Sequence, residues 1–174
     1  MEKIEMNMEA KLSEHFTLGE MIKTNAKGID NTPPHGAVVN LKNLCENWLE
    51  DLRYSYNQLY CLQPGEDYES SKNVEPIIIN SGYRSEAVNK AVGGAKESNH
   101  LSGCAVDIHC LGIEQAIRYA AILLDIADGK KQEFDELLIE RSPKGSYWLH
   151  FAVRPTLRQA QGPENRRKVK FIQT

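Results

Sequence analysis

The chain contains no long hydrophobic run. None of its segments approaches the roughly 18 consecutive apolar residues that a membrane-spanning helix needs. Residues 1–16 carry charges throughout and lack the apolar centre of a secretory signal peptide. We therefore expect no membrane span and synthesis in the cytoplasm. If the substrate lies outside the membrane, another system must carry the protein to it.

An excess of basic charge is also absent. The formal net charge is −3, whereas a protein that binds nucleic acid needs a positively charged face. We therefore expect no nucleic-acid partner. One basic cluster, residues 166–170, lies near the C-terminus, and we interpret it as a solvated strand edge rather than a binding patch.

Paired cysteines are missing as well. The chain has four cysteines and no C-x-x-C pair: Cys45, Cys61, Cys104 and Cys110. Without a secretory signal, these residues are expected to be reduced and mostly buried thiols. Two of them flank Asp107, so a thiolate metal ligand remains a less favoured alternative at that position.

The length and the hydrophobic pattern predict one domain of the α+β class. The 174 residues, 41% of them apolar, suffice for one core, and we expect a single domain over 1–174, with a motif-bearing part at about 13–153, and a monomer. Periodicity and turn signals predict helices over 17–23, 37–60, 86–92 and 113–127, and strands over 76–80, 103–108, 134–139, 147–153 and 168–172. Residues 155–167 are predicted to form a loop. Because the helices cluster apart from strands joined by short turns, we expect a small antiparallel sheet flanked by helices.

His100 and Asp107 are the first candidate metal ligands. They are seven residues apart, and Gly103 between them allows the backbone to turn sharply into a strand. His100 can then lie on the loop while Asp107 points from the strand into the same pocket. Taken singly, each residue has an ordinary alternative, as a surface histidine or a strand-end cap.

His150 is the third candidate ligand. It lies in the apolar strand 147–153, where a period of two places Trp148 and His150 on one face, opposite Leu149 and Phe151. The odd-numbered face is the more apolar and should take the core, so His150 should point into a groove. Two imidazoles and one carboxylate suit a zinc ion with one open coordination position. We therefore predict one Zn²⁺ per chain.

Glu140 is the candidate general base for the water that such a site activates. If the hairpin turn centres on residues 143–145, Glu140 pairs opposite Trp148, on the face that carries the second histidine. A register error of one residue would turn it to the other face. Asp135 and Glu136 are lower-ranked alternatives, and an exposed strand glutamate without a catalytic role is the remaining one.

Arg84 is the candidate for holding negative charge. It follows a buried strand and precedes a helix, and loops of this kind frequently bind ligands. A guanidinium there can bind a carboxylate through two hydrogen bonds or stabilise an oxyanion. An ordinary surface cation is the alternative.

The combined motifs resemble a known family of peptidases. Ser98-x-His100-x-x-Gly103-x-Ala105-x-Asp107, followed by Trp148-x-His150, is similar to the zinc peptidases that cut D-Ala-D-Ala and L-Ala-D-Glu bonds in peptidoglycan. They include VanX-type dipeptidases, D-alanyl-D-alanine carboxypeptidases and phage endolysins, and the hedgehog signalling domain has the same fold. Residues 81–85 resemble the arginine motif of the family, and residues 15–18 and 89–94 resemble its phage and prophage-associated branch.

The resemblance implies a function and a set of site residues. It implies a zinc-dependent peptidase that acts on peptidoglycan stem peptides, with a hedgehog/DD-peptidase-like fold. The implied ligands are His100, Asp107 and His150, and Arg84 would contact the substrate or the oxyanion. Three further residues would bind substrate: Tyr83, Ser98 and Trp148.

One departure from the family concerns the general base. Many members carry an acidic residue three positions before the last histidine, and some carry a histidine two positions before it; here these are Tyr147 and Trp148. Glu140 is then the best substitute. Two other functions stay open: an inactive zinc-binding module that recognises a cell-wall peptide or a protein partner, and a structural component of a phage particle. The bond cut, and whether cleavage is exo or endo, also stay open.

Overall fold

The structure is a computed structural model that describes residues 7–155 and 165–174. The helices are α1 Leu18–Ile22, α2 His35–Leu44, α3 Glu50–Tyr56, α4 Glu86–Ala91 and α5 Ile113–Lys130. The strands are β1 Ile79–Ser81, β2 Ala105–Cys110, β3 Glu136–Arg141, β4 Tyr147–Ala152 and β5 Lys168–Gln173. Each predicted helix and strand has a counterpart of the same type. The predicted loop 155–167 lies largely outside the described residues.

The predicted helix 37–60 is subdivided. The chain is helical from residue 35 to residue 61, but Cys45–Leu49 and Asn57–Cys61 are π-helical segments. In each, the residue after the segment donates its N–H to the carbonyl five residues back. The side chain of Asn57 is buried and bonds to both the N–H and the C=O of Glu75. This long-range contact fixes the second segment, and helical periodicity carries no signal for it.

The sheet is mixed, with the strand order β1-β2-β4-β3-β5. The α+β class is confirmed, and β1 to β4 pair antiparallel, but β5 pairs parallel with β3. The reason is the position at which the chain re-enters the sheet. β4 ends at Ala152 opposite Glu136, where β3 begins, and its other edge is taken by β2. Lys168 also pairs with Glu136, so β5 starts at the same end on the free edge of β3 and runs in the same direction.

The two faces of the sheet have different roles. Leu149 and Phe151 of β4 are fully buried, and Trp48 packs against Phe134 and Phe151 with ring centroids 6.5 and 4.9 Å apart. The odd-numbered face of β4 thus forms the core, as its period of two predicts. His150 lies on the opposite face, which carries the polar residues of β2 and β3.

Two further sequence expectations concern the chain as a whole. Among residues 7–155 and 165–174, no helix is long and apolar enough to cross a membrane. All four cysteines are free, and Cys45, Cys104 and Cys110 are buried, in agreement with the expected reduced thiols.

Candidate metal centre and active-site cleft

Asp107 lies at the centre of the candidate site. It is on β2, directly opposite His150 of β4 in the antiparallel register. Its Oδ1 lies 2.9 Å from Nδ1 of His150 and 3.2 Å from Nε2 of His100. Strand register and one preceding turn therefore bring the three predicted ligands together.

A short 3₁₀ turn, Asn99–Ser102, positions His100. Ser98 caps it, since its hydroxyl accepts a hydrogen bond from the N–H of His100 at 3.3 Å. The turn ends at Gly103, whose φ is +71°, and a Cβ at this residue would lie 2.4 Å from the carbonyl oxygen of Ala37. Only glycine combines this left-handed conformation with such close packing on α2.

In each imidazole, the nitrogen that faces away from Asp107 has a hydrogen-bond acceptor beside it. Nδ1 of His100 lies 2.5 Å from the carbonyl oxygen of Gly82, which can only accept, so this nitrogen carries the proton. Nε2 of His150 lies 3.3 Å from Oε2 of Glu136. The hydrogen bond with His150 holds the pKa of Glu136 well below its usual range despite burial, so this carboxylate also accepts. When both rings are neutral and protonated on their outer nitrogens, the inward-facing nitrogens direct lone pairs at the same carboxylate oxygen, Oδ1 of Asp107.

This arrangement of donor atoms fits a metal ion. One ligand atom each from His100, Asp107 and His150 lies within 4.8 Å of the others, and all three residues are buried. Acceptors that face one another in this way repel unless a cation lies among them. The set of two imidazoles and one carboxylate is typical of a zinc site with an open position, and partners behind each ligand are typical of metal centres. Within the described ranges, no other group of three such residues has this geometry.

The ionisation of the ligands is consistent with their grouping. Burial raises the pKa of Asp107, but its contacts with His100 and His150 outweigh burial and hold the pKa well below its usual range. Burial lowers the pKa of His150, yet its hydrogen bonds to Asp107 and Glu136 outweigh burial and raise the pKa to about 9. A proton on Nδ1 of His150 therefore takes the place of the cation when no metal is bound.

A cleft of about 680 Å³ opens over this centre. Seven of the eight site residues predicted from sequence line it: Arg84, Ser98, His100, Asp107, Glu140, Trp148 and His150. Tyr83 does not, because its side chain is buried in the core. Its backbone N–H donates to the carbonyl of Met21, which turns this residue to the interior while the next one faces the cleft. Tyr83 therefore lies outside the cleft, contrary to the sequence prediction.

Arg84 contacts the ligand carboxylate directly. Its Nη2 donates to Oδ2 of Asp107, and its Nε donates to the hydroxyl of Ser81 at 2.8 Å. Oδ1 of Asp107 is thus left for the histidines. The guanidinium therefore holds the Asp107 carboxylate in place and also presents positive charge to the cleft.

Glu140 pairs with Trp148 across the β3–β4 hairpin, as the sequence predicts. Burial raises its pKa, and the nearby charges of His150, Asp107 and Arg84 modify that rise in opposite directions. Within the part of the chain that the structure describes, no hydrogen bond or ion pair engages its carboxylate. Its oxygens are therefore available to accept a proton from a molecule in the cleft.

The two lower-ranked acids are occupied by other partners. The side chain of Asp135 is fully buried, and its oxygens contact the guanidinium groups of Arg154 and Arg166. Glu136 bonds to Lys168 as well as to His150. Neither carboxylate is free to serve as a base.

Sequence reasoning missed the contact between Glu136 and His150. The period of two was a usable signal, since it places Glu136 on the same face as Glu140. It also missed Arg154 and Arg166, which line the cleft. Arg166 belongs to the cluster interpreted as a solvated strand edge. β5 is indeed an edge strand, but this side chain pairs with Asp135, just before β3, and with Glu136, the first residue of β3. That pairing depends on the parallel crossover, for which the sequence has no local signal.

The thiolate alternative finds no support in the geometry. Cys110 belongs to the hydrophobic core, and burial raises its pKa to about 12. Burial also raises the pKa of the Cys104 thiol. Neither thiol belongs to the group of candidate ligands.

Comparison with known families decides the classification. The family model described as Peptidase M15 matches residues 14–137. The chain belongs to the M15 peptidase family. M15 peptidases are zinc-dependent, in agreement with the ligand set built from the geometry. The M15 match includes His100 and Asp107 and ends before Glu140 and His150, so the family comparison does not cover those two positions. A search of curated proteins finds no match.

Proposed function

We propose that this M15 chain is a zinc peptidase that hydrolyses amide bonds in peptidoglycan stem peptides. The supporting observation is the convergence of Nε2 of His100, Oδ1 of Asp107 and Nδ1 of His150 at the floor of a cleft. The family supports peptide hydrolysis. The motif resemblance favours stem peptides, with a D-Ala-D-Ala carboxypeptidase and an L-Ala-D-Glu endopeptidase as the two candidate specificities.

The residues around the centre supply proton transfer. When bound, zinc polarises the scissile carbonyl and lowers the pKa of the attacking water. Glu140 accepts the proton of that water and returns it to the leaving amine. The raised pKa of Glu140 suits both steps, because a carboxylate that is easier to protonate is a stronger base and can act as an acid afterwards.

Arg84 and the cleft walls bind the substrate. One side of the Arg84 guanidinium is held by Asp107 and Ser81. Its remaining N–H groups are available to a substrate carboxylate or to the carbonyl oxygen that gains negative charge. Ser98 and Trp148 line the same cleft and would contact the bound peptide.

A second candidate is a zinc-binding module without turnover. The observation that favours it is Tyr147, which stands where many relatives carry an acid and packs against the core instead. In that case Glu140 would not act as a base, and the cleft would only bind a cell-wall peptide.

Hydrolysis of purified peptidoglycan separates the two candidates. We expect the zinc-loaded chain to release new amino and carboxyl termini from sacculi, and the masses of the products to identify the bond. Chelation should abolish release and added zinc should restore it, whereas His150→Ala should stay inactive. A chain that holds one zinc but releases no termini from any sacculus contradicts the peptidase and supports the binding module.

A further inference from the structure

We propose that the C-terminal strand β5 is part of the metal centre. Arg166, just before β5, and Lys168, its first residue, form what we call the β5 clamp. The clamp holds Glu136 against His150 and thereby sets the zinc affinity of the site. This inference rests on the zinc centre of the proposed function and assigns a role to residues outside the part of the chain that the M15 family matches.

The two oxygens of Glu136 have separate partners. Oε1 lies 2.8 Å from Nζ of Lys168 and 2.9 Å from Nη2 of Arg166. Oε2 lies 3.3 Å from Nε2 of His150 and accepts from the amide of Asn99 at 3.3 Å. The clamp thus occupies one oxygen and leaves the other facing the imidazole. Because the Glu136 side chain is only 14% exposed, water cannot readily replace these partners.

Orientation of Glu136 matters because His150 has two neutral tautomers. Only the form with its proton on Nε2 keeps Nδ1 free for a metal beside Asp107. An acceptor held at Nε2 selects that form, and partners of this kind usually contribute 10- to 100-fold, by order of magnitude, to metal affinity. Without the clamp, Oε1 of Glu136 would lose both of its cationic partners, and repulsion from the nearby Glu140 carboxylate would favour other orientations of the side chain.

A buried acid anchors the clamp itself. Nε and Nη2 of Arg166 donate to the two oxygens of Asp135 at 2.9 and 2.7 Å, and the Asp135 side chain is fully buried. The N–H of Lys168 donates to the carbonyl of Asp135 at 2.9 Å. A two-pronged contact with a buried partner fixes the guanidinium far better than a solvent-exposed ion pair would.

The clamp also connects to the turn that carries the first ligand. The amide of Asn99 donates to Asp135 at 2.8 Å and to Glu136 at 3.3 Å, and Asn99 directly precedes His100. Elements around two of the three ligands therefore share one polar network with the start of β5. A purely structural role, in which the clamp only attaches β5 to the sheet, would leave the metal centre unaffected.

Zinc affinity, measured by competition with a chelating indicator, tests the clamp. We expect roughly 10- to 100-fold weaker binding for Glu136→Ala and for the double variant Arg166→Ala with Lys168→Ala. Glu136→Gln keeps an acceptor oxygen without the charge and should give an intermediate loss. Lys170→Ala, on the same strand and face, should bind as the unchanged chain does. Melting temperatures of the metal-free variants identify any that fail to fold.

The Nε2–H proton of His150 provides a readout that needs no metal. In the metal-free chain, NMR should show this proton exchanging slowly, and the signal should be lost in Glu136→Ala and weakened in the clamp variant. A folded clamp variant that keeps both the signal and the zinc affinity overturns the inference. Failure of the unchanged chain to bind zinc would refute the proposed function, whereas the NMR signal would still decide whether the clamp holds Glu136 on His150.

Discussion

Two imidazoles can bind a metal at Asp107 because each has its outer nitrogen occupied. The carbonyl of Gly82 accepts a hydrogen bond from Nδ1 of His100, and the carboxylate of Glu136 accepts one from Nε2 of His150. The inner nitrogens then have no hydrogen to donate in the neutral state. At the scale of single residues, the site is therefore defined by the partners behind the ligands as much as by the ligands themselves.

The raised pKa of His150 predicts how zinc affinity depends on pH. Since this pKa is about 9 in the metal-free chain, zinc must displace a proton below that value. Affinity should rise by about tenfold per pH unit towards pH 9 and then level off. Binding titrations across this range check the prediction. An affinity that levels off near pH 6.5, the usual pKa of histidine, would contradict the claim that hydrogen bonds to Asp107 and Glu136 raise the pKa of His150.

Replacement of Glu140 tests the proposed general base. Glu140→Gln should lower kcat by about 10²- to 10⁴-fold and leave zinc affinity unchanged, because the residue transfers a proton and does not hold the metal. In the pH profile of kcat for the unchanged enzyme, activity should fall on the acidic side at a pH above 4.5, since burial raises the pKa of the Glu140 carboxyl from that value. Glu97→Gln is the matched control, being an exposed acid on the same cleft. Full activity in Glu140→Gln would place the base elsewhere.

The sequence reveals the ligands more readily than the groups that orient them. His100, Asp107 and His150 are polar residues in or beside apolar strands, where such residues are uncommon. Strand alternation also predicts the direction in which His150 points. Glu136 looks like any strand glutamate until His150 is known to lie beside it. Arg166 reaches the site only through the parallel pairing of β5, which depends on contacts distant in sequence.

At the scale of elements, the site depends on one turn and one register. Gly103 lets the 3₁₀ turn pack against α2, and the β2–β4 register sets His150 opposite Asp107. The predicted helix and strand types were right because they rest on local periodicity. The π-helical segments and the mixed sheet were not predictable in this way, since long-range contacts such as that between Asn57 and Glu75 determine them.

Gly103→Ala tests the turn. The added Cβ would lie 2.4 Å from the Ala37 carbonyl oxygen at a φ of +71°. We expect the free energy of unfolding of the metal-free chain to fall by about 1–3 kcal/mol, and zinc to bind more weakly because the turn carrying His100 must shift. Gly36→Ala is the control, since a Cβ there meets no atom within 4 Å. Equal stability of the two variants in denaturant unfolding would refute the steric argument.

At the scale of the whole molecule, the three candidate metal ligands come from distant parts of the chain. His150 is 43 residues from Asp107 in sequence, and His100 comes from a different element. The candidate ligands meet only in the folded sheet, so we expect zinc to bind the folded state in preference to the unfolded one. Metal binding at the proposed site would therefore be coupled to folding.

This coupling predicts thermal stabilisation by zinc. At a free zinc concentration of about 100 times Kd, the folded state should gain about 2.7 kcal/mol. For a chain of 174 residues, that corresponds to a rise in Tm of roughly 5–10 °C. Calorimetry with and without zinc measures it, and His150→Ala should show no comparable rise. An equal rise in both chains would mean that zinc binds elsewhere.

X-ray absorption spectroscopy of the zinc-loaded chain tests most directly that His100, Asp107 and His150 hold a catalytic zinc. We predict one zinc per chain, bound by two imidazoles and one carboxylate oxygen, with a further oxygen from solvent at the open position. The absence of bound zinc, or a sulfur neighbour at about 2.3 Å from a thiolate such as Cys104, would contradict this ligand set.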